Sequence, residues 1–178
     1  ARFLRAYYYF ELVKWFGDVP LVVDQRILFG QQFEVDRTPK AEVYQQIEQD
    51  LIYATSVLPL VQADLGRVTK GAAQSLLGKV YLYQDKFSEA SNALENVINS
   101  GQYQLLTDDY VNMFENDYEN NIESVFEVQY TDVQGAGFGC FQCSEGNIAV
   151  GFNGIRNYSV EPGSVGDIFD SGFGFNVP

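Results

Sequence analysis

The sequence predicts a mainly α-helical fold: helices paired into hairpins that stack on one another, then a short β segment and a long Gly-rich loop region. Three observations carry that prediction. Apolar residues recur at helical spacing through most of residues 1–100. Residues that start and stop helices bracket those stretches, among them Gly17, Pro39, Pro59, Ser88 and Gly101. Small side chains stand at Gly78 and Ala90, where two successive helices would cross closely.

The first helix covers residues 1–16 and is apolar nearly all round: Phe3, Leu4, Ala6, Tyr7, Tyr8, Tyr9, Phe10, Leu12, Val13, Trp15 and Phe16. That pattern predicts a helix buried on most sides. Gly17 and Asp18 stop it, and Pro20 directs an extended exit through Leu21-Val22-Val23. Residues 24–37 form a mostly polar connection. Thr38-Pro39 then starts a second helix, Thr38 as its cap and Pro39 at the first helical position. Val43, Ile47, Leu51, Ala54 and Leu58 make its apolar stripe, and Pro59 ends it. After a turn at Asp64-Leu65-Gly66-Arg67, a third helix spans about Thr69 to Gln84. A fourth spans Ser88 to Ser100, capped by Ser88 and terminated by Gly101. Short helix and turns are expected over 102–122. The β-formers Val125, Phe126, Val128 and Tyr130 predict a strand over Glu123–Tyr130. From Gly135 onward 10 of 44 residues are Gly and five are charged, which predicts a loop-rich region rather than packed elements. The domain reading is a helical scaffold over 1–130 and the start of a loop-rich, ligand-side region over 131–178.

The third and fourth helices fit the spacing of the tetratricopeptide (TPR) repeat. Gly78 and Ala90 take its close-contact positions, and Tyr81, Phe87 and Leu94 its large ones. Ala6 and Tyr9 echo Gly78 and Tyr81 in a looser first pair. One helical pair cannot bury its own face, so the two pairs should stack.

Charge and composition exclude several functions. Eleven basic residues against 24 acidic ones leave a net charge of -13, which argues against nucleic acid and against an anionic membrane surface as partners. There is no His, so Ser-His-Asp and Cys-His catalysis and the commonest metal ligand are missing. Cys140 and Cys143 form one CxxC with no second pair, and read as free thiols or a local disulfide rather than a zinc site. The acidic run around Asp108, Asp109, Glu115, Asp117 and Glu119 lacks the Gly and spacing of a calcium loop and reads as a solvated surface. Neither a metal, a cofactor nor a catalytic group is expected.

Several stretches, in order, resemble the SusD/RagB family of outer-membrane nutrient-binding lipoproteins of Bacteroidetes. They run from Ala1-Arg2-Phe3-Leu4-Arg5-Ala6-Tyr7-Tyr8-Tyr9-Phe10 and Phe16-Gly17-Asp18-Val19-Pro20-Leu21-Val22 through Arg37-Thr38-Pro39, Val43-Tyr44 and Asp50-Leu51. Gly66-Arg67-Val68-Thr69-Lys70-Gly71-Ala72-Ala73, Leu76–Leu82 and Asn120–Tyr130 continue the series, and Gly172–Pro178 closes it. The resemblance implies a surface-exposed, lipid-anchored protein that binds a glycan without breaking it and hands it to a SusC-like, TonB-dependent transporter. It also implies a lipobox Cys, an early helical segment and a large C-terminal portion outside this sequence. It transfers no ligand-contacting residue to a numbered position.

Sugars are bound by aromatic stacking and by hydrogen bonds from amides, hydroxyls and a few charges. The Tyr7–Phe10 and Trp15 rings have the right chemistry, but on so apolar a helix they read as core. The candidate ligand-binding residues are Phe138, Phe141, Gln142, Asn153, Arg156, Asn157 and Tyr158, aromatic and amide groups in a Gly-rich loop context; the alternative for this stretch is packing against segments outside this sequence, with Arg156 in a structural ion pair. The alternative is a TPR-type scaffold that docks a protein and carries no glycan site of its own, or takes a peptide.

Overall fold

A computed structural model of the chain describes residues 1–23, 35–107, 110–114 and 116–129, without the side chains of 113, 114 and 116. Four helices follow one another: α1 (Arg2–Phe16), α2 (Lys40–Val57), α3 (Lys70–Leu82) and α4 (Phe87–Ile98). Two 3-10 turns come after them, Tyr110–Phe114 and Asn116–Tyr118. Each helix packs on the next, so α2 is held between α1 and α3, and α4 covers the far side of α3. Contacts between α2 and α3 join the two pairs.

Apolar spacing decides which faces meet. Phe3, Ala6, Phe10 and Val13 of α1 recur every three or four residues and are buried. They meet Val43, Tyr44, Ile47, Leu51 and Ala54 of α2, with Ala72, Ala73, Leu77 and Val80 of α3 completing the core. The Phe10 ring stands edge-on to Tyr44 at 6.4 Å and to Tyr83 at 5.1 Å, tying α1 to both of its neighbours. Such edge contacts add about 0.5–1.5 kcal/mol each beyond the area they bury. At the α3–α4 crossing Gly78 lies under Leu94, and a Cβ there would sit 2.7 Å from Leu94 Cδ2 and 3.5 Å from the Ala90 carbonyl oxygen. The small residues are where the two helices touch.

Helix ends follow the sequence in part. Gly17 stops α1 at φ +66, Pro59 follows an extended Leu58, and Thr69 caps α3 by accepting from the Ala72 N–H at 3.1 Å. Two caps differ. Thr38 does not cap α2: its own backbone N–H donates to the Val19 carbonyl in an isolated antiparallel bridge, and Asp18 Oδ1 accepts from the Lys40 N–H at 2.8 Å instead. The cap comes from across the connection. Ser88 lies inside α4, which begins at Phe87 without a side-chain cap.

Two larger expectations are corrected. The helix of residues 1–16 is not buried on most sides. Only one stripe is covered, while Trp15 is 79% and Tyr8 63% exposed, with Leu4, Tyr7, Leu12 and Phe16 also open. The reading of the Tyr7–Phe10 and Trp15 rings as core therefore holds for Phe10, with Tyr9 half-buried, and fails for Tyr7, Tyr8 and Trp15. An α-helix in a stacked array meets neighbours on a limited arc, and α1 meets α2 and only the edge of α3. The strand over Glu123–Tyr130 is also absent among the described residues, which hold no strand. Gln104 N–H donates to the Ile122 carbonyl at 3.1 Å, but no ladder extends from it, and Phe126 turns edge-on to Phe3 at 5.9 Å. Val125 packs against the core, while Phe126 and Val128 stay 41% and 63% exposed.

Two phenols carry a pH consequence. Burial first, and the adjacent Tyr83 second, raise the Tyr44 pKa, while burial followed by Glu48 raises that of Tyr81. A raised folded value means stability that is complete below the unfolded value of about 10 and is lost as pH rises through the folded one. Urea midpoints should hold to about pH 9 and fall above about pH 10, and Tyr44→Phe should lessen that alkaline fall.

Candidate functional site

Between the end of α2 and the start of α3, the segment from Leu60 to Thr69 walls a cleft of about 210 Å³. The rest of its lining comes from Gln102 and Tyr103 after α4 and from Asn120 and Ser124–Glu127. The local sequence explains the shape. Pro59 ends α2, and its carbonyl accepts from the Lys70 N–H at 2.8 Å, closing the segment on itself. Gly66 turns the chain at φ +77, where an L side chain would be strained. Gln62 Nε2 donates to the Val68 carbonyl at 2.6 Å, and Arg67 Nε donates to Asp64 Oδ2 at 2.6 Å.

The other wall is seated on α3 by two residues. Thr69 Oγ1, already the α3 cap, lies 3.2 Å from the Tyr103 hydroxyl. Gly71 presents bare backbone to the Tyr103 ring, since a Cβ would come 2.6 Å from its Cε2 and 2.8 Å from its Cζ. Beyond it, Asn120 takes a left-handed backbone at φ +55 and donates its N–H to Glu127 Oε2 at 3.0 Å. The Ser124 hydroxyl donates to the other carboxylate oxygen of Glu127. The cleft thus combines aromatic and aliphatic surface with amides, hydroxyls and the charged side chains of Asp64, Arg67 and Glu127. A second, more apolar groove of about 280 Å³ runs between the start of α1 and the end of α2, along Phe3, Leu4, Tyr53 and Val57.

The candidate residues Phe138, Phe141, Gln142, Asn153, Arg156, Asn157 and Tyr158 lie outside the described residues, as do Cys140 and Cys143. The cleft was not foreseen, because residues 64–67 read only as a turn. The usable signal was Gln62, Arg67 and Thr69 crowded between two helices. Among the described residues no three acidic, Cys or His side chains gather as a metal site. Nor is any described helix long and apolar enough to cross a membrane.

A family described as starch-binding and associating with the outer membrane, SusD-like, matches residues 1–82, the span from α1 to the end of α3. SusD-like protein P2 of Formosa agariphila is 32% identical over 144 residues, 78% of this chain and 28% of that protein. A laminarin-binding SusD-like protein superposes at a TM-score of 0.78 and 38% identity, over 89% of this chain and 36% of its own. This chain belongs to the SusD-like family. A further structure, solved with a xylogluco-oligosaccharide, is similar to the SusD-like chain at a TM-score of 0.65 and 29% identity, over 73% of this chain and 28% of its own. The SusD-like chain spans about a third or less of the length of the curated relatives it matches.

Proposed function

We propose that the protein captures a neutral glycan at the cell surface, without hydrolysing it, and passes it to a SusC-like, TonB-dependent transporter. The observation that carries this reading is the 38% identity to a protein that binds laminarin, over nearly the whole chain. Laminarin is accordingly the first ligand to test, with xyloglucan second, after the structure solved with a xylogluco-oligosaccharide. The stacked hairpins serve as scaffold. Gly78 under Leu94 and against the Ala90 carbonyl is the close approach that a TPR-like pair needs, and it supports that finer description of the fold. Residues 131–178 begin the ligand-facing portion, with Phe138, Phe141, Gln142, Asn153, Arg156, Asn157 and Tyr158 as contacts. A lipid anchor in the whole protein places it on the outer membrane. The excess of 13 negative charges suits capture of uncharged chains rather than acidic ones.

Native affinity gels of the whole protein, cast with laminarin, xyloglucan or starch, test this. Retardation by laminarin with no release of reducing ends is the expected result. Uniform mobility in every gel would leave a docking scaffold as the better reading, and reducing-end release would make the protein a hydrolase.

A further inference from the structure

We infer that the cleft between α2 and α3 is a subsite for one ring of a neutral glycan, separate from the loop residues 138–158. The inference rests on the glycan-binding reading above and names a place and a charge preference for it. Size comes first. Drug-sized ligands need roughly 300–1,000 Å³, so a cleft of about 210 Å³ takes a single ring and leaves its neighbours outside.

Chemistry comes second. A pyranose presents an apolar face of C–H groups and an edge of hydroxyls that both donate and accept. The lining matches both. Leu65, Val61 and Phe126 supply apolar surface, and Leu65 is 73% exposed. Gln62 spends its amide N–H on the Val68 carbonyl and keeps Oε1 as an acceptor. Gln102 adds a whole amide, and Tyr103 a hydroxyl already oriented by Thr69.

Charge comes third and sets the class. The lining holds one cation, Arg67, and two carboxylates, Asp64 and Glu127. Arg67 pairs with Asp64 at 2.6 Å, both side chains 66% exposed, and Glu127 accepts from Asn120 and Ser124. The lining residues thus carry one more carboxylate than cations, which favours a neutral ring over a uronate or a sulfated sugar.

The test uses the chain with a short laminarin oligosaccharide and an oligogalacturonate, read by calorimetry and by amide chemical-shift mapping. Leu65→Ala and Gln102→Ala change an exposed and a half-buried side chain, so both should keep the parent melting temperature. Each should weaken the laminarin oligosaccharide about tenfold, with shifts in the parent centred on residues 60–69 and 102–103, and the oligogalacturonate should bind at least tenfold more weakly. Parent-like affinity in both variants, or shifts confined to residues 131–178, would overturn the subsite while leaving glycan binding intact. Equal affinity for the oligogalacturonate would overturn the charge preference. Absence of binding to any neutral glycan, by this chain and by the whole protein in gels, would remove the functional reading itself.

Discussion

Replacing Arg5 with Ala is expected to lower the unfolding free energy by about 3–5 kcal/mol, the usual result of stranding a buried charge. Arg5 Nε and Nη2 each reach one oxygen of Asp50 at 2.6 Å, and Nη1 donates to the Val23 carbonyl at 2.9 Å. Asp50 is 1% exposed, so after the substitution its carboxylate would face the apolar interface of α1 and α2 alone. Asp50→Ala should cost less, because the Arg5 side chain keeps 26% of its surface open to water. Arg5→Met combined with Asp50→Leu should recover much of the loss, since replacing both charges with apolar groups leaves nothing stranded. Urea unfolding of these three variants beside the parent reads each effect, and adding the Arg5→Ala/Asp50→Ala double closes a double-mutant cycle. If Arg5→Ala unfolds within 1 kcal/mol of the parent, on the scale set by surface pairs, the pair does not fasten α1 to α2.

The second large effect is at the α3–α4 crossing. Gly78→Ala gains about 1 kcal/mol of helix propensity, yet it drives a Cβ to 2.7 Å from both Leu94 Cγ and Cδ2. Overpacking of that kind costs about 1–3 kcal/mol, so the net expectation is a loss of up to about 2 kcal/mol. Gly78→Val adds two branches and loses the propensity gain, so it should be worse than Gly78→Ala. Leu94→Ala in the same chain should shrink the Gly78→Ala penalty by opening the space the new Cβ needs. Thermal unfolding followed by circular dichroism reads all of these, and a stabilised Gly78→Ala would show that the crossing is looser than described.

Much of this architecture could be read from residues alone, because local signals and tertiary needs agree there. Gly17, Pro59 and Thr69 end or start helices for reasons confined to a few neighbours, and the stripes of α2 and α3 face where their spacing sends them. What could not be read depends on distant partners. Thr38 has every property of a helix cap, but Val19 competes for its backbone and Asp18 takes over the capping. Val125 and Phe126 have the composition of a strand, yet strand formation needs a second strand, and Phe3 offers Phe126 a ring instead. The apolar character of residues 2–16 could not show which rings find a neighbour, since Tyr8 and Phe10 carry rings of similar size and the helix points them to different sides. At the site the gap is wider. The cleft is assembled from three segments as far apart as Leu60 and Glu127, and no local pattern reports such a meeting. The aromatic and amide residues of 138–158 were chosen by composition, which identifies sugar-binding chemistry without placing it.

The connection from α1 to α2 is fastened at both ends. Tyr9 Oη accepts from the Val22 N–H at 2.7 Å, Arg37 Nε donates to the Asp18 carbonyl at 2.9 Å, and Thr38 bridges to Val19. These ties lie outside residues 24–34 and join the two ends of the connection directly. Doubling the length of such a closed span costs only about 0.6 kcal/mol in chain entropy. With its two ends tied together, a lengthened connection is expected to leave the paired helices folded, and the melting temperature of a chain carrying an insertion there checks it.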